Sequence, residues 1–126
     1  MNIYSESLPD NCPPTLAEEV SEARVVYRLV RSNPPTTDDF RSQREKKPDT
    51  VFSNVDECQA RGLSVYTILS DCDKPLKLPH FRKYLVCKVD LDFGAGRIQQ
   101  TGQPSHHTWW PLAGFDILQH CSMEPL

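Results

Sequence analysis

Proline recurs so often in this chain that no long uninterrupted helix can form. Eleven prolines stand among 126 residues, and each removes a backbone donor and clashes with the preceding turn of any helix that tries to include it. What remains between the breaks is a set of short apolar runs with strand character. Val25-Val26-Tyr27-Arg28-Leu29-Val30 is β-branched and aromatic and stops at Asn33-Pro34-Pro35, which reads as a central strand with both faces largely apolar. Leu63 to Leu69 reads as a second strand. Tyr84 to Leu91 alternates most cleanly, with Leu85, Cys87, Val89 and Leu91 on one face. Gly94-Ala95-Gly96 turns the chain into a short return strand over 97–101, and Phe115 to Leu118 closes the domain.

The helical signals are brief. Thr15-Leu16-Ala17-Glu18 has the form of a capping box and, with Leu16, Val20 and Ala23 at helical spacing, predicts a helix over 15–23. Thr36-Thr37-Asp38-Asp39 opens a short helix through Phe40, and Ser53 to Asp56 starts another that Gly62 can cap, with Val55 and Cys58 facing inward. The stretch 71–79 holds two prolines and room for one helical turn at most. Crossovers this short do not connect a doubly wound parallel sheet. The chain therefore reads as an α+β domain, compact and single, with a small mixed or antiparallel sheet. Residues 1–14 are expected to be a flexible N-terminal arm and 15–126 one globular domain.

Composition narrows the function classes. The net charge is −3, so no strong nucleic-acid signal emerges from the overall balance. The charged run 41–48 can touch phosphates but reads first as a solvated loop. No apolar stretch approaches a membrane span, and the N-terminus lacks the basic start and apolar run of a secretory signal. Cysteines at 12, 58, 72, 87 and 121 are odd in number and show neither C-x-x-C nor zinc-ligand spacing. They are expected to be free thiols in a cytoplasmic protein, and no metal is expected.

Two features resist a scaffold reading. Arg28 places a guanidinium between Val26 and Val30 on one strand face, where it must find a carboxylate partner or line a cleft. Gln103 to Pro111 packs His106, His107, Thr108, Trp109 and Trp110 together. If extended, His107 and Trp109 share one face and His106, Thr108 and Trp110 the other. Histidine exchanges protons near neutrality and tryptophan offers a flat stacking wall. G-x-G-x-x-G, P-loop and G-x-S-x-G motifs are all missing from the sequence.

Three blocks then stand in order: Val26-Tyr27-Arg28-Leu29-Val30 with Pro34-Pro35-Thr36, Gly62-Leu63-Ser64-Val65-Tyr66, and His106-His107-Thr108-Trp109-Trp110. Their succession resembles a group of small uncharacterised bacterial proteins. More remotely, the layout is similar to the ADP-ribosyltransferase-like superfamily, including RES-type toxins and tRNA 2′-phosphotransferases. That resemblance implies a split sheet with a nicotinamide dinucleotide (NAD) in its cleft. It also implies catalytic roles for Arg28, Ser64 and His107, and cofactor contacts from Arg28, Tyr66, Thr108 and Trp110. Arg28, Ser64 or Tyr66, and one of His106 and His107 are then expected within about 10 Å of each other around a concavity. The chain departs from that pattern in lacking a glutamate at the usual catalytic place, since Glu57 precedes the second strand and Glu124 lies in the tail. Two other functions fit the residues: a non-catalytic interaction module such as an antitoxin, immunity or anti-defence protein, and a His-dependent nuclease or phosphoesterase.

Overall fold

The computed structural model describes residues 3–125; positions 1 and 2 of the expected arm and 126 of the expected domain lie outside the described residues. Seven strands form one sheet: β1 (Glu18–Glu19), β2 (Arg24–Val30), β3 (Leu63–Tyr66), β4 (Leu85–Leu91), β5 (Gly96–Gln100), β6 (His106–Pro111) and β7 (Cys121–Met123). Their order across the sheet is β1-β5-β6-β3-β2-β4-β7, and every pairing is antiparallel. Four helices of a single turn each, α1 (Gln43–Lys46), α2 (Glu57–Ala60), α3 (Asp73–Leu76) and α4 (Ile117–His120), sit in the connections. The fold is α+β. Thr37–Phe40 forms a further 3₁₀ turn.

The sheet is two ladders held by one rung. β2 and β4 match over seven residue pairs and β3 and β6 over four, whereas β2 and β3 meet only at Tyr27 opposite Tyr66. Beyond that rung the two strands part. On one face, both ladders contribute to a common core of Val26, Val30, Leu63, Val65, Val89 and Trp109 with their neighbours. Trp109 is fully buried, and its indole N–H donates to the Ala95 carbonyl at 3.0 Å. Its polar atom is therefore satisfied in the dry core.

Three sequence expectations change. Residues 15–23 do not form a helix: Glu18–Glu19 is the edge strand β1, paired with Arg97 and Ile98. Leu16 is exposed while Ala17 and Val20 are buried, so the apolar set is split between solvent and core and tertiary pairing overrides the local helical pattern. The second strand ends at Tyr66, and Leu69–Cys72 turns into a 3₁₀ helix running into α3. The expectation of five free thiols is corrected by a disulfide joining Cys12 to Cys58 across 46 residues; Cys72, Cys87 and Cys121 are free. Docking of the N-terminal segment onto α2 creates this pair, and no local spacing motif announces it. The same segment is fastened elsewhere too. Tyr4 bridges Leu112, Ser5 N–H donates to Pro111 and Arg61 donates to the Ser7 carbonyl. Among the described residues no helix is long and apolar enough to cross a membrane.

Candidate functional site

Arg28 occupies the place where the two ladders part. Antiparallel register from the Tyr27–Tyr66 rung would set Leu29 opposite Ser64, yet no ladder bond forms there. The Arg28 guanidinium takes over instead, donating from Nη1 to the Ser64 carbonyl at 2.7 Å, from Nε to the Asp39 carbonyl at 2.8 Å and from Nη2 to the Arg41 carbonyl at 3.3 Å. One planar fork thus ties β2, β3 and the 39–41 loop together. Arg28 is 6% exposed and bonded to carbonyls alone, so the alternative of a structural ion pair with a carboxylate does not describe it. The Asp39 carboxylate is turned elsewhere, accepting from the Arg31 and Thr36 backbone N–H groups at 2.8 and 2.9 Å. Burial pushes the Arg28 guanidinium down to about 10, as expected for a cation removed from water, a loss that the nearby charge of Asp39 offsets only in part. Two of its five N–H groups remain uncommitted.

The opening between the ladders is a cleft of about 390 Å³, within the usual range for small-molecule sites. Its floor is made by Gly62, Ser64 and Tyr66 of the β3 segment and His106 at the start of β6, with the tip of Arg28 at one side. The 41–47 segment supplies one wall through Arg41, Ser42, Lys46 and Lys47, and Phe52 adds an aromatic face. His80, Phe81 and Tyr84 form the opposite wall, packed edge to face at 4.8 Å for His80–Phe81 and for Phe81–Tyr84. Aspartate and glutamate are both missing from the lining. The result is a positive, aromatic cleft in a chain of net charge −3. Lys46 responds to it: its ammonium is held below the usual lysine range by enclosure, then by the nearby charges of Arg28 and Arg41.

The strand alternation sorts the two histidines. His106 faces the cleft, packed edge to face on Tyr66 at 5.4 Å. Its Nδ1 lies 3.0 Å from the Thr101 hydroxyl, which in turn is 2.9 Å from the Thr108 hydroxyl. Burial, and then His107, hold the His106 imidazole below its ordinary value, so it stays neutral near pH 7. His107, favoured from sequence as the third catalytic group, does not line this cleft. It lines a separate hollow with Leu16, Glu18, Arg24 and Gln99, and its Nδ1–H donates to the Ser105 carbonyl at 2.7 Å. The one-residue displacement follows from the period of a strand.

The other sequence candidates fall into two sets. Arg28, Ser64 and Tyr66 line the cleft. Thr108 and Trp110 belong to the same strand face but lie beneath its floor, each 2% exposed. The Trp110 indole donates to the Cys58 carbonyl at 2.9 Å, so it anchors α2 and offers no stacking surface. Gly62 is required above them, because a methyl group there would collide with the Thr108 side chain and lie 3.1 Å from the Trp110 indole nitrogen. Sequence reasoning missed the contribution of Arg41, Lys46 and Lys47, whose run looked like a solvated loop, and of His80, Phe81 and Tyr84. The latter lie in a proline-interrupted stretch with no periodicity to mark a common direction. Among the described residues no group of three or more His, Cys, Asp or Glu is placed to hold a metal ion. Comparison of the chain with protein-family models, curated proteins and solved structures finds no match.

Proposed function

We propose that this cleft binds a nicotinamide dinucleotide, or the ADP-ribose part of one, in the manner of an ADP-ribosyltransferase-like domain. The observation that carries the reading is the meeting of Arg28, Ser64, Tyr66 and His106 on a cationic, aromatic cleft without a carboxylate lining. An anionic diphosphate suits the uncommitted N–H groups of Arg28 and the charges of Arg41 and Lys46, for which the cleft itself provides no counterion. Tyr66 and the His80–Tyr84 wall offer faces for a heteroaromatic ring, and Ser64 offers an exposed hydroxyl on the floor. Binding comes before catalysis in this reading. Glu57, one of the two glutamates nearest to a catalytic place in the sequence, is consumed by bidentate Arg44 and by Arg61, all at 2.8 Å. His106, its Nδ1 held by the Thr101 hydroxyl, is the group placed to exchange a proton with a ligand.

Calorimetric titration with NAD, ADP-ribose and inorganic phosphate tests the reading. Saturable binding of NAD and ADP-ribose, lost in Arg28→Met, is expected. Absence of heat at millimolar NAD and ADP-ribose would overturn it, and co-purification of a protein partner in that case would favour the interaction module. Tryptophan fluorescence is not a suitable reporter, because both indoles are buried away from the lining. A second reading has its own observation: His80 and His106 both line the cleft beside Arg28 and Lys46, the ingredients of acid–base phosphodiester chemistry. Release of a nucleotide from a labelled oligonucleotide, abolished in His106→Ala, would favour it.

A further inference from the structure

Tyr84 stands where three hollows meet. The cleft already described shares Leu29, Arg41, Lys46 and Tyr84 with a second cavity of about 550 Å³, and that cavity shares Arg31 and Tyr84 with a third of about 210 Å³. The third returns to the first through His80 and Tyr84. Together they make a path of three adjoining hollows that share walls around Tyr84.

The charges along this path are segregated from the rest of the molecule. Arg28, Arg41, Lys46 and Lys47 line its first part, and Arg31, Arg82 and Lys83 continue it. Half of the 14 lysines and arginines thus face one path, against two of the 17 acidic residues, Asp38 and Asp39. The Asp39 carboxylate is already taken by two backbone N–H groups. The lining carries a formal +5 on a chain of −3. Arg31, Arg82 and Lys83 are exposed, and none of them is ion-paired among the described residues. Tyr84, Phe81, Phe52 and Tyr66 interleave with these cations.

We infer that this path is a track for single-stranded nucleic acid, with backbone phosphates on Arg31, Arg41, Lys46, Arg82 and Lys83 and unpaired bases against Tyr84 and its aromatic neighbours. Cations that follow a backbone, with rings on which bases stack, are the physical requirements for a single strand. A duplex keeps its bases stacked on one another and presents none to such rings. A bilayer surface is flat, whereas these cations line connected hollows. A phosphopeptide needs one focus of charge, and here the charge runs through three. The inference goes beyond the nucleotide reading and does not rest on it, because Arg31, Arg82 and Lys83 lie outside the first cavity.

The test is fluorescence anisotropy of the full chain with labelled RNA and DNA homopolymers of about twelve nucleotides, from about 50 to about 200 mM salt. Single strands are expected to bind, with affinity falling as salt rises. The triple variant Arg31→Ala, Arg82→Ala, Lys83→Ala is expected to bind at least about tenfold more weakly and to lose about 2 from the log–log salt slope, near 0.7 per phosphate contact. Its affinity for NAD or ADP-ribose should be unchanged if the first cavity is the nucleotide site. All three side chains are exposed, and Arg31 alone among them packs on a ring, 5.8 Å over Tyr84, so the variant is expected to stay folded with only a small loss of melting temperature. Arg82→Glu alone, which leaves that contact intact, gives an independent, smaller loss of binding. Failure of RNA and DNA strands to bind at the lowest salt overturns the inference. So does equal binding of a duplex or of a sulfated polysaccharide, or an equal loss when Arg24, Lys88 and Arg97 are removed instead. NAD binding without strand binding would sink this inference alone; strand binding without NAD binding would sink the nucleotide reading alone.

Discussion

Replacing Arg28 by methionine removes the fork that closes the gap between the ladders while keeping a side chain of similar reach. Three carbonyl oxygens lose their donor: Asp39 in a buried contact, Ser64 and Arg41 in partly buried ones. A hydrogen bond to a charged group contributes about 1.5–3 kcal/mol, and a buried acceptor left unpaired costs about as much again as it would to desolvate. Water from the cleft can replace the donor at Ser64 and Arg41, so the full cost falls on Asp39 and a residue of it on the other two. Against this stands relief of the burial that pushes the guanidinium down to about 10, since apolar replacement of a buried charge often recovers stability. The balance is a loss of about 2–3 kcal/mol, tolerable for a domain stable by about 5–15 kcal/mol. Urea denaturation followed by circular dichroism measures it, and calorimetry on the folded variant should find NAD affinity reduced at least about tenfold. Arg28→Lys should lose nearly as much stability, because one ammonium cannot reach three divergent carbonyls, yet retain part of the affinity. Melting unchanged to within about 0.5 kcal/mol would refute the clamp, and wild-type NAD binding by a folded Arg28→Met would refute the ligand role.

The remaining predictions separate scaffold from site. Gly62→Ala should cost about 1–3 kcal/mol by overpacking against Thr108 and Trp110, measured by thermal melting; a neutral result would mean that the cleft floor yields easily. His106→Ala should weaken ligand binding with little loss of stability. His107→Ala should do the reverse, losing about 1 kcal/mol with its bond to Ser105, and equal ligand effects of the two would contradict the face assignment. Glu57 is held down at about 2 by its hydrogen bonds to Arg44 and then Arg61, so its folded value lies below the unfolded one. Its stabilising contribution is present above about pH 4.5 and lost as the pH falls through about 2, and the melting-temperature difference between wild type and Glu57→Gln should close over that window. Cys12→Ser opens a loop of 46 residues and should cost about 2–4 kcal/mol without changing affinity for NAD, which pairs of denaturation and titration curves can check.

The strands that carry the sheet were legible because alternation is local. Leu85 to Leu91 shows its buried face in the sequence, and Val26, Val89 and Trp109 meet in the core as their residue types require. The edge strand β1 was not legible, since Glu18 and Glu19 have no strand propensity and are placed by the partner edge of β5. The disulfide was hidden for a related reason: it depends on where residues 3–14 dock, which no spacing of cysteines encodes. At the site, Arg28 could be singled out because a cation among valines needs a reason. Its partners could not be named, because they are backbone carbonyls, which every residue has. The choice between His106 and His107 turned on a register of one, and only the pairing of Tyr66 with His106 decides it.

Net charge is the quantity that says least about this surface, because it averages over charges that are not uniformly placed. A total of −3 is compatible with an even scatter of charges or with a cationic path set against a more acidic remainder. The segregation here comes from topology. The connection after β2 brings Arg41, Lys46 and Lys47 to one wall of the gap, and the connection before β4 brings His80, Phe81 and Tyr84 to the other, with Arg82 and Lys83 in the adjoining hollow. Both connections begin or end at β2 and β4, the ladder that parts from β3. The opening of the sheet and the gathering of cations are therefore one feature: the single rung at Tyr27 and Tyr66 creates a gap, and the loops flanking that gap carry the charge.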